Sequence, residues 1–379
     1  MGMPVDKPLT YLDNAATTPP YPEVLARMHE VMMDGWGNPS APHVVGRRAK
    51  EMLEESRATI ADVLGVDADE IYFTSGSTES NNLAIRGACL AQRENPGKIV
   101  TSTLEHSSVT RTVRGMRRDL DWDCRYVDAP DGCFDMEQLA EQLQDGPTSL
   151  ISVMRVQNET GWIFPIPEIA QLRDELAPGV PLHCDATQAG AHKIGGPRGI
   201  GILYVQRGLP MHTTAFGGNQ ERGLRSGTEP VFLAVGMAEA VRITAAHMET
   251  DMEYAASLRE RAIEGLKREI PDAVVHAPEG GSPYILSVSV PGLPNAVSVK
   301  YLSGRRVCVS RASACEENHT AVAPGTWRPK HPLALQAAGI PLREGKETLR
   351  ASFFHRNTPE DVDRFVAVLA QCAREMRES

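Results

Sequence analysis

Apolar positions recur at helical spacing along Tyr21 to Met33 and again along Ala41 to Leu64, the second with alternating charges on its open face. Both stretches are predicted to be amphipathic helices. Short apolar runs then take over. Glu70-Ile71-Tyr72-Phe73-Thr74 is a predicted strand, followed by the turn Ser75-Gly76-Ser77-Thr78 and a helix from Glu79 to Leu90. Lys98 to Thr101, Asp123 to Val127 and Ser149 to Val153 read as further strands, with helices from Val109 and Met136 between them. Strands alternating with helices at this rhythm imply an α/β fold built on a parallel sheet. Gly201 to Val205 is another strand. Pro230 to Glu269 is one long helical stretch, read as the passage into a second domain. That domain has strands at Tyr284 to Val290 and Arg306 to Val309, and a closing helix from Pro359 to Arg377. Glu316 to Pro332, polar and rich in Pro and Gly, is the candidate for the least ordered segment.

Composition narrows this picture. A chain of 379 residues exceeds one ordinary core, so two domains are expected. The net charge of −10 argues against a nucleic-acid groove. No apolar run approaches the roughly 20 residues of a membrane span, and Met1 to Thr10 has neither the basic nor the apolar region of a signal peptide. Seven scattered cysteines make no disulfide framework. The expectation is a cytoplasmic protein with room for a cysteine that does chemistry.

Candidate chemistry lies where elements end. Thr74 to Glu79 is a strand, a small-residue turn and a helix start. Its free N–H groups, with the Ser77 and Thr78 hydroxyls, suit a phosphate, although a plain helix cap has the same pattern. His106 follows a strand and could stack on a flat ring, or be an ordinary surface or core histidine. Asn158 follows a buried strand, either as a turn former or as a ligand for a carboxylate or a phenolic oxygen. Asp185 ends the apolar run Val180 to Cys184, and Lys193 comes eight residues later. An acid for a ring nitrogen and an amine for a carbonyl are what a pyridoxal phosphate site needs from its protein. The glycine-rich loop Gly217 to Thr228 is basic and hydroxyl-bearing, suited to an anion or simply exposed. Cys315 follows a strand in Ser310-Arg311-Ala312-Ser313-Ala314-Cys315, where neighbouring cations could make it nucleophilic. Arg350 sits on an apolar strand and should pair with a carboxylate of the protein or of a substrate.

Taken in order, Tyr11-Leu12-Asp13-Asn14-Ala15-Ala16-Thr17-Thr18, Gly37-Asn38-Pro39-Ser40, Thr74 to Ala84, Glu105-His106, Asp185-Ala186-Thr187-Gln188, Arg225-Ser226-Gly227-Thr228 and Ser313-Ala314-Cys315 resemble the cysteine desulfurases of the class V aminotransferase superfamily. The resemblance runs from Tyr11 to the C-terminal helix. It implies the PLP-dependent transferase fold type I. A large domain over residues 15–245 would hold a mainly parallel sheet flanked by helices. A smaller α+β domain, 1–14 with 246–379, would carry the cysteine loop. It implies pyridoxal 5'-phosphate as cofactor and no metal. Ser77 and Thr78 would hold the phosphate, with Thr228 reaching the neighbouring subunit's cofactor in a homodimer. His106 would stack on the ring, Asp185 bind its nitrogen and Gln188 its phenolic oxygen. His192 would join the cofactor site, and Lys193 would carry the cofactor. Asn38, Asn158 and Arg350 would take the substrate, and Cys315 would be the nucleophile. The implied reaction turns L-cysteine into L-alanine and leaves a persulfide on Cys315 for a sulfur-acceptor protein. Alternatives within reach are a selenocysteine lyase or other C–S lyase of the same fold, and a cofactor-less sulfur-transfer scaffold.

The chain departs from that family in two places. Between Gln188 and His192 it lacks a strand and its connection, and the serine expected two places before His192 is Gly190. A sheet with one strand fewer is therefore expected, with Gly201 to Val205 as an antiparallel return, or a pocket completed by another chain or segment. The stretch after Cys315, with His319, Trp327, Arg328, Lys330 and His331, is longer than the resemblance implies.

Overall fold

The computed structural model describes residues 9–276, 278–311, 335–336 and 338–378. The chain opens with β1 (Thr10–Tyr11), α1 (Pro22–Asp34) and α2 (Val44–Leu64). The His43 ring accepts the Gly46 N–H at the start of α2, and Gly65, with φ 67°, ends it in the left-handed conformation that a glycine adopts without strain. Then come β2 (Ile71–Thr74), α3 (Ser77–Ala91), β3 (Lys98–Ser102), α4 (Ser107–Leu120), β4 (Cys124–Val127), α5 (Met136–Gln144), β5 (Thr148–Met154), α6 (Ile166–Leu176), β6 (Leu182–Asp185) and β7 (Gly201–Tyr204). The anticipated turn at Ser77-Thr78 is the first turn of α3 itself.

Four of these strands form a parallel sheet in the order β4-β3-β5-β6. Every residue of β5 except Thr148 is buried, Ser149 and Ser152 included, because helices cover both faces. Alternation along β3 divides the two cores. Ile99 packs with Ile85, Val109 and Met116 of α3 and α4, while Val100 packs with Leu139 of α5 and Ile169 of α6. The expected return strand is different. β7 pairs antiparallel with β2, Ile71 opposite Tyr204 and Thr74 opposite Gly201, and the two form a separate sheet that makes no ladder with β6. Gly201 suits this place because a Cβ there would lie 2.7 Å from the Gly76 backbone.

The long helix α7 (Val231–Glu269) joins two cores. Its first part, with Ala234, Met237 and Ala238, packs on Ile60 of α2 and Phe73 of β2. Its last part, with Leu258, Ala262 and Leu266, packs on an antiparallel sheet and the terminal helix. That sheet has β8 (Val274–His276), β9 (Ile285–Ser289), β11 (Ser310–Arg311) and β12 (Thr348–Ser352) in the order β11-β12-β9-β8. α8 (Asn295–Gly304) and β10 (Val307–Cys308) precede β11, and β10 pairs with β1. α9 (Pro359–Arg377) starts where the sequence puts it. Thr358 and Asp361 form a capping box, and Pro359 occupies the first turn. One expectation needs correcting: α7 contains a window with mean hydropathy 1.3, long and apolar enough by composition to cross a membrane. Buried alanines such as Ala234, Ala238 and Ala240 contribute to that value while serving close packing. A Cβ on Gly236 would come within 2.6 Å of Met28 in α1.

One buried ion pair ties β2 to the glycine-rich loop. Arg57 donates to both oxygens of Glu221 at 2.9 and 2.8 Å and to the Ile71 carbonyl, while Glu221 also accepts the Phe73 N–H. Both side chains are almost fully buried, so each depends on the other for its charge to be tolerated.

Candidate active site

Parallel strands end at one edge of their sheet, and the loops there gather the chemistry. β3 leads to Glu105-His106, β5 to Asn158, and β6 ends on Asp185. His106 caps α4. Its Nδ1 accepts the Ser108 N–H at 3.2 Å and lies 2.7 Å from the Ser108 hydroxyl. An accepting Nδ1 puts the proton of the neutral ring on Nε2. Burial pushes the His106 pKa down, Asp185 opposes that and Lys193 adds to it. Burial, the largest of these influences, favours the neutral form of the ring.

Asp185 is 2% exposed. Its Oδ1 accepts the Thr187 N–H at 2.8 Å and the Thr187 hydroxyl. Its Oδ2 is buried with no partner, and so are Gln188 Nε2 and His192 Nδ1. Buried polar atoms without partners are costly, so three in one short run mark a place built to receive a polar guest. The donor set fits pyridoxal phosphate: a carboxylate oxygen for a protonated ring nitrogen and an amide N–H for a phenolic oxygen.

Two one-turn helices, Thr187–Ala189 and Ala191–Lys193, carry the chain from Asp185 to Lys193. The N-terminal segment fastens this run. The His192 carbonyl accepts from the Thr18 N–H (2.7 Å), the Thr18 hydroxyl (3.1 Å) and the Thr17 hydroxyl (3.2 Å). Gly195 follows with φ 75°, and a Cβ there would lie 2.3 Å from the Tyr21 ring. Lys193 is close enough to lower the pKa of both His106 and Asp13. The short spacing therefore brings Lys193 into one electrostatic neighbourhood with His106.

Ser77 opens α3, half-buried, and Thr78 beside it is exposed. The first N–H groups of the helix point outward with the positive end of its dipole. A Cβ on Gly190 would lie 3.0 Å from the Ser77 hydroxyl, so the glycine leaves that hydroxyl room where a serine would crowd it. Thr228 is exposed, in a loop held to α3 by Arg225 and Glu79 at 2.9 Å.

The expected substrate ligands divide. Arg350 is buried and already engaged by the protein: one terminal nitrogen meets Asp13 at 2.9 Å, another donates to the Asn158 carbonyl at 2.7 Å, and Nε is left without a partner. Asn158 thus meets Arg350 through its backbone. Asn38 is exposed and its side chain accepts the Ser40 N–H at 2.9 Å, forming the turn before α2. Cys315 and the stretch beyond it with His319, Trp327, Arg328, Lys330 and His331 lie outside the described residues.

Two residues were not anticipated from the sequence as functional. Asp13, within the Tyr11 to Thr18 motif, holds Arg350. Glu105 is fully buried behind His106, its Oε1 accepting the Ser102 hydroxyl (2.6 Å) and the Met154 N–H (3.0 Å). Burial raises its pKa to about 8, with Asp185 adding to the rise and the two hydrogen bonds opposing it. The unfolded value is about 4.3, so the folded chain holds a proton there that the unfolded chain has lost. Stability from this group is complete at acid pH and lost as pH climbs towards 8. Melting temperatures of Glu105→Gln should fall less than those of the parent between pH 5 and 8. Equal slopes in the two proteins would show that Glu105 does not titrate in this way.

Comparison with known proteins agrees with the geometry. The profile of the family described as Aminotransferase class-V matches residues 10–365. A NifS/IcsS protein homolog of Lactobacillus delbrueckii subsp. bulgaricus is 36% identical, the match covering 95% of this chain and 96% of that one. A cysteine desulfurase of Trichormus azollae is 33% identical, with 97% and 93% covered. Among solved structures, a NifS-like protein superposes with a TM-score of 0.87 at 29% identity, with 96% of this chain and 99% of that one covered. With the fold, the clustered site and matches over almost its whole length in agreement, the chain belongs to the class V aminotransferase family, among its cysteine desulfurases.

Proposed function

We propose that the chain uses pyridoxal phosphate to convert L-cysteine to L-alanine, forming a persulfide on Cys315 that passes to an acceptor protein. The reading is carried by the unpartnered, buried Asp185 Oδ2 and Gln188 Nε2 on the run that ends at Lys193. The cofactor supplies an electron sink when bound. The rest is the work of this chain's own side chains. Asp185 would keep the ring nitrogen protonated and Gln188 would donate to the phenolic oxygen. His106 would cover one face, and His192 would border the site. Ser77, Thr78 and the start of α3 would hold the phosphate, joined by Thr228 of a neighbouring subunit in a homodimer. Lys193 would carry the cofactor and move the substrate's α-proton. Arg350, through its remaining Nε, would take the substrate carboxylate with Asn158 and Asn38. The Cys315 thiolate would attack the substrate sulfur. A large domain of residues 15–245 and a small one of 1–14 and 246–379, working in the cytoplasm, complete the proposal.

The test uses the purified chain with pyridoxal phosphate and L-cysteine. A visible absorption band, release of alanine and a mass increase of one sulfur on the peptide containing Cys315 are expected. A chain that stays colourless, or that releases no alanine, would reject the reading.

A further inference from the structure

β6 is the last strand of its sheet and β7 the last of the other, and a cavity of about 580 Å³ lies between them. Leu182 to Asp185 form one wall and Gly201 to Val205 the other. Helices close the two faces. Leu203 and Val205 pack with Ala84 of α3, while Ile202 packs on the core of Ile60 and Met237 from α2 and α7. The cavity is thus an interruption within the strand layer. A strand directs its N–H and C=O groups to both sides. β6 spends one side on β5 and β7 one side on β2, which leaves a row of each facing the gap, with the Ile202 carbonyl in it already accepting the Ser80 hydroxyl at 2.8 Å. Such rows are templates for another strand.

We propose that this slot accepts an extended, uncharged, aliphatic segment of a partner protein, which adds as a strand and joins the two sheets. The chemistry of the guest follows from the walls. Among the described residues lining the slot there is no Lys, Arg or Glu, and Asp185 is the sole carboxylate. A strand covered on both faces is rich in Val, Ile and Leu. Val63, Leu64, Tyr204 and Met248 line the same cavity and remain 39%, 50%, 45% and 59% exposed, an apolar patch of the kind that marks a contact surface. Among the described residues every strand is already paired in a sheet, and the proposal assigns the guest to another protein. Ser77, Asp185 and Gly190 also line the slot, so the guest would border the candidate site. The inference concerns strand pairing and stands apart from the cofactor reading.

Hydrogen–deuterium exchange on the whole chain tests it, with a capped valine–alanine peptide carrying lysine ends for solubility as the probe. The gap-facing amides of β6 and β7, alternate residues of each strand, should exchange quickly alone and at least about tenfold more slowly with the peptide. β3 and β5 should be unaffected. Met248→Asp, at the exposed mouth, should keep the fold and lose the protection. Three results would overturn the proposal: no slowing in either strand, equal slowing by a peptide with alternating glutamates, or slot amides already protected in a peptide-free dimer, which would make the occupant a second copy.

Discussion

Lys193→Ala should leave the purified chain colourless with pyridoxal phosphate and lower alanine formation from L-cysteine at least about a thousandfold. The site is arranged around where this amine is presented. Three donors from Thr17 and Thr18 fix the His192 carbonyl, and Gly195 turns against the Tyr21 ring directly after. The side chain at position 193 is only half-buried and contributes little to any core, so the variant should melt close to the parent. Lys193→Arg separates charge from covalent chemistry. It keeps the cation that lowers the His106 pKa but offers no amine that can bond to a carbonyl carbon. Both variants should be inactive. An arginine variant with substantial activity would move the covalent role to another residue.

The parts of the fold readable in the sequence are those fixed locally. β3 and β5 are short runs rich in Ile, Val and Leu, buried on both faces, and α9 announces itself through Thr358, Pro359 and Asp361. α6 was missed because it has Ile169 as its one buried residue and begins among prolines, so it has little apolar face to read. α8 was missed for a similar reason, as it buries only Ser298 and Leu302. Asp185 and Lys193 were legible as chemistry from their company. The ion pair of Asp13 with Arg350 was not, since it joins residues 337 positions apart through the approach of the N-terminal segment to β12. The lack of a strand after Gln188 could be read from spacing. Its consequence could not: the sheet leaves a gap instead of closing, because β7 finds its partner in β2 and a chain that bends sharply through Gly190 and Gly195 never returns along β6.

Asp185→Asn should cut turnover by about a hundredfold to a thousandfold while leaving the cofactor able to bind. The reason lies in one atom. Asp185 Oδ1 is satisfied by Thr187, and an asparagine can keep that contact by presenting its carbonyl oxygen there. The Oδ2 position would then hold an NH2 group, which donates where a protonated ring nitrogen needs an acceptor. The ring would lose the proton that lets it store electrons, and Lys193 would have an α-proton much harder to remove. The same charge supports its neighbours' titration. Asp185 raises the pKa of His106 against burial and raises that of Glu105 along with burial. Removing it should lower both, so the stability of Asp185→Asn should decline less steeply than the parent's as pH rises towards 8. Turnover and pH dependence therefore test one carboxylate in two independent ways. A variant with parental turnover would show that Asp185 does not hold the ring nitrogen. Lost turnover with an unchanged pH slope would keep the catalytic role and remove the electrostatic link to Glu105.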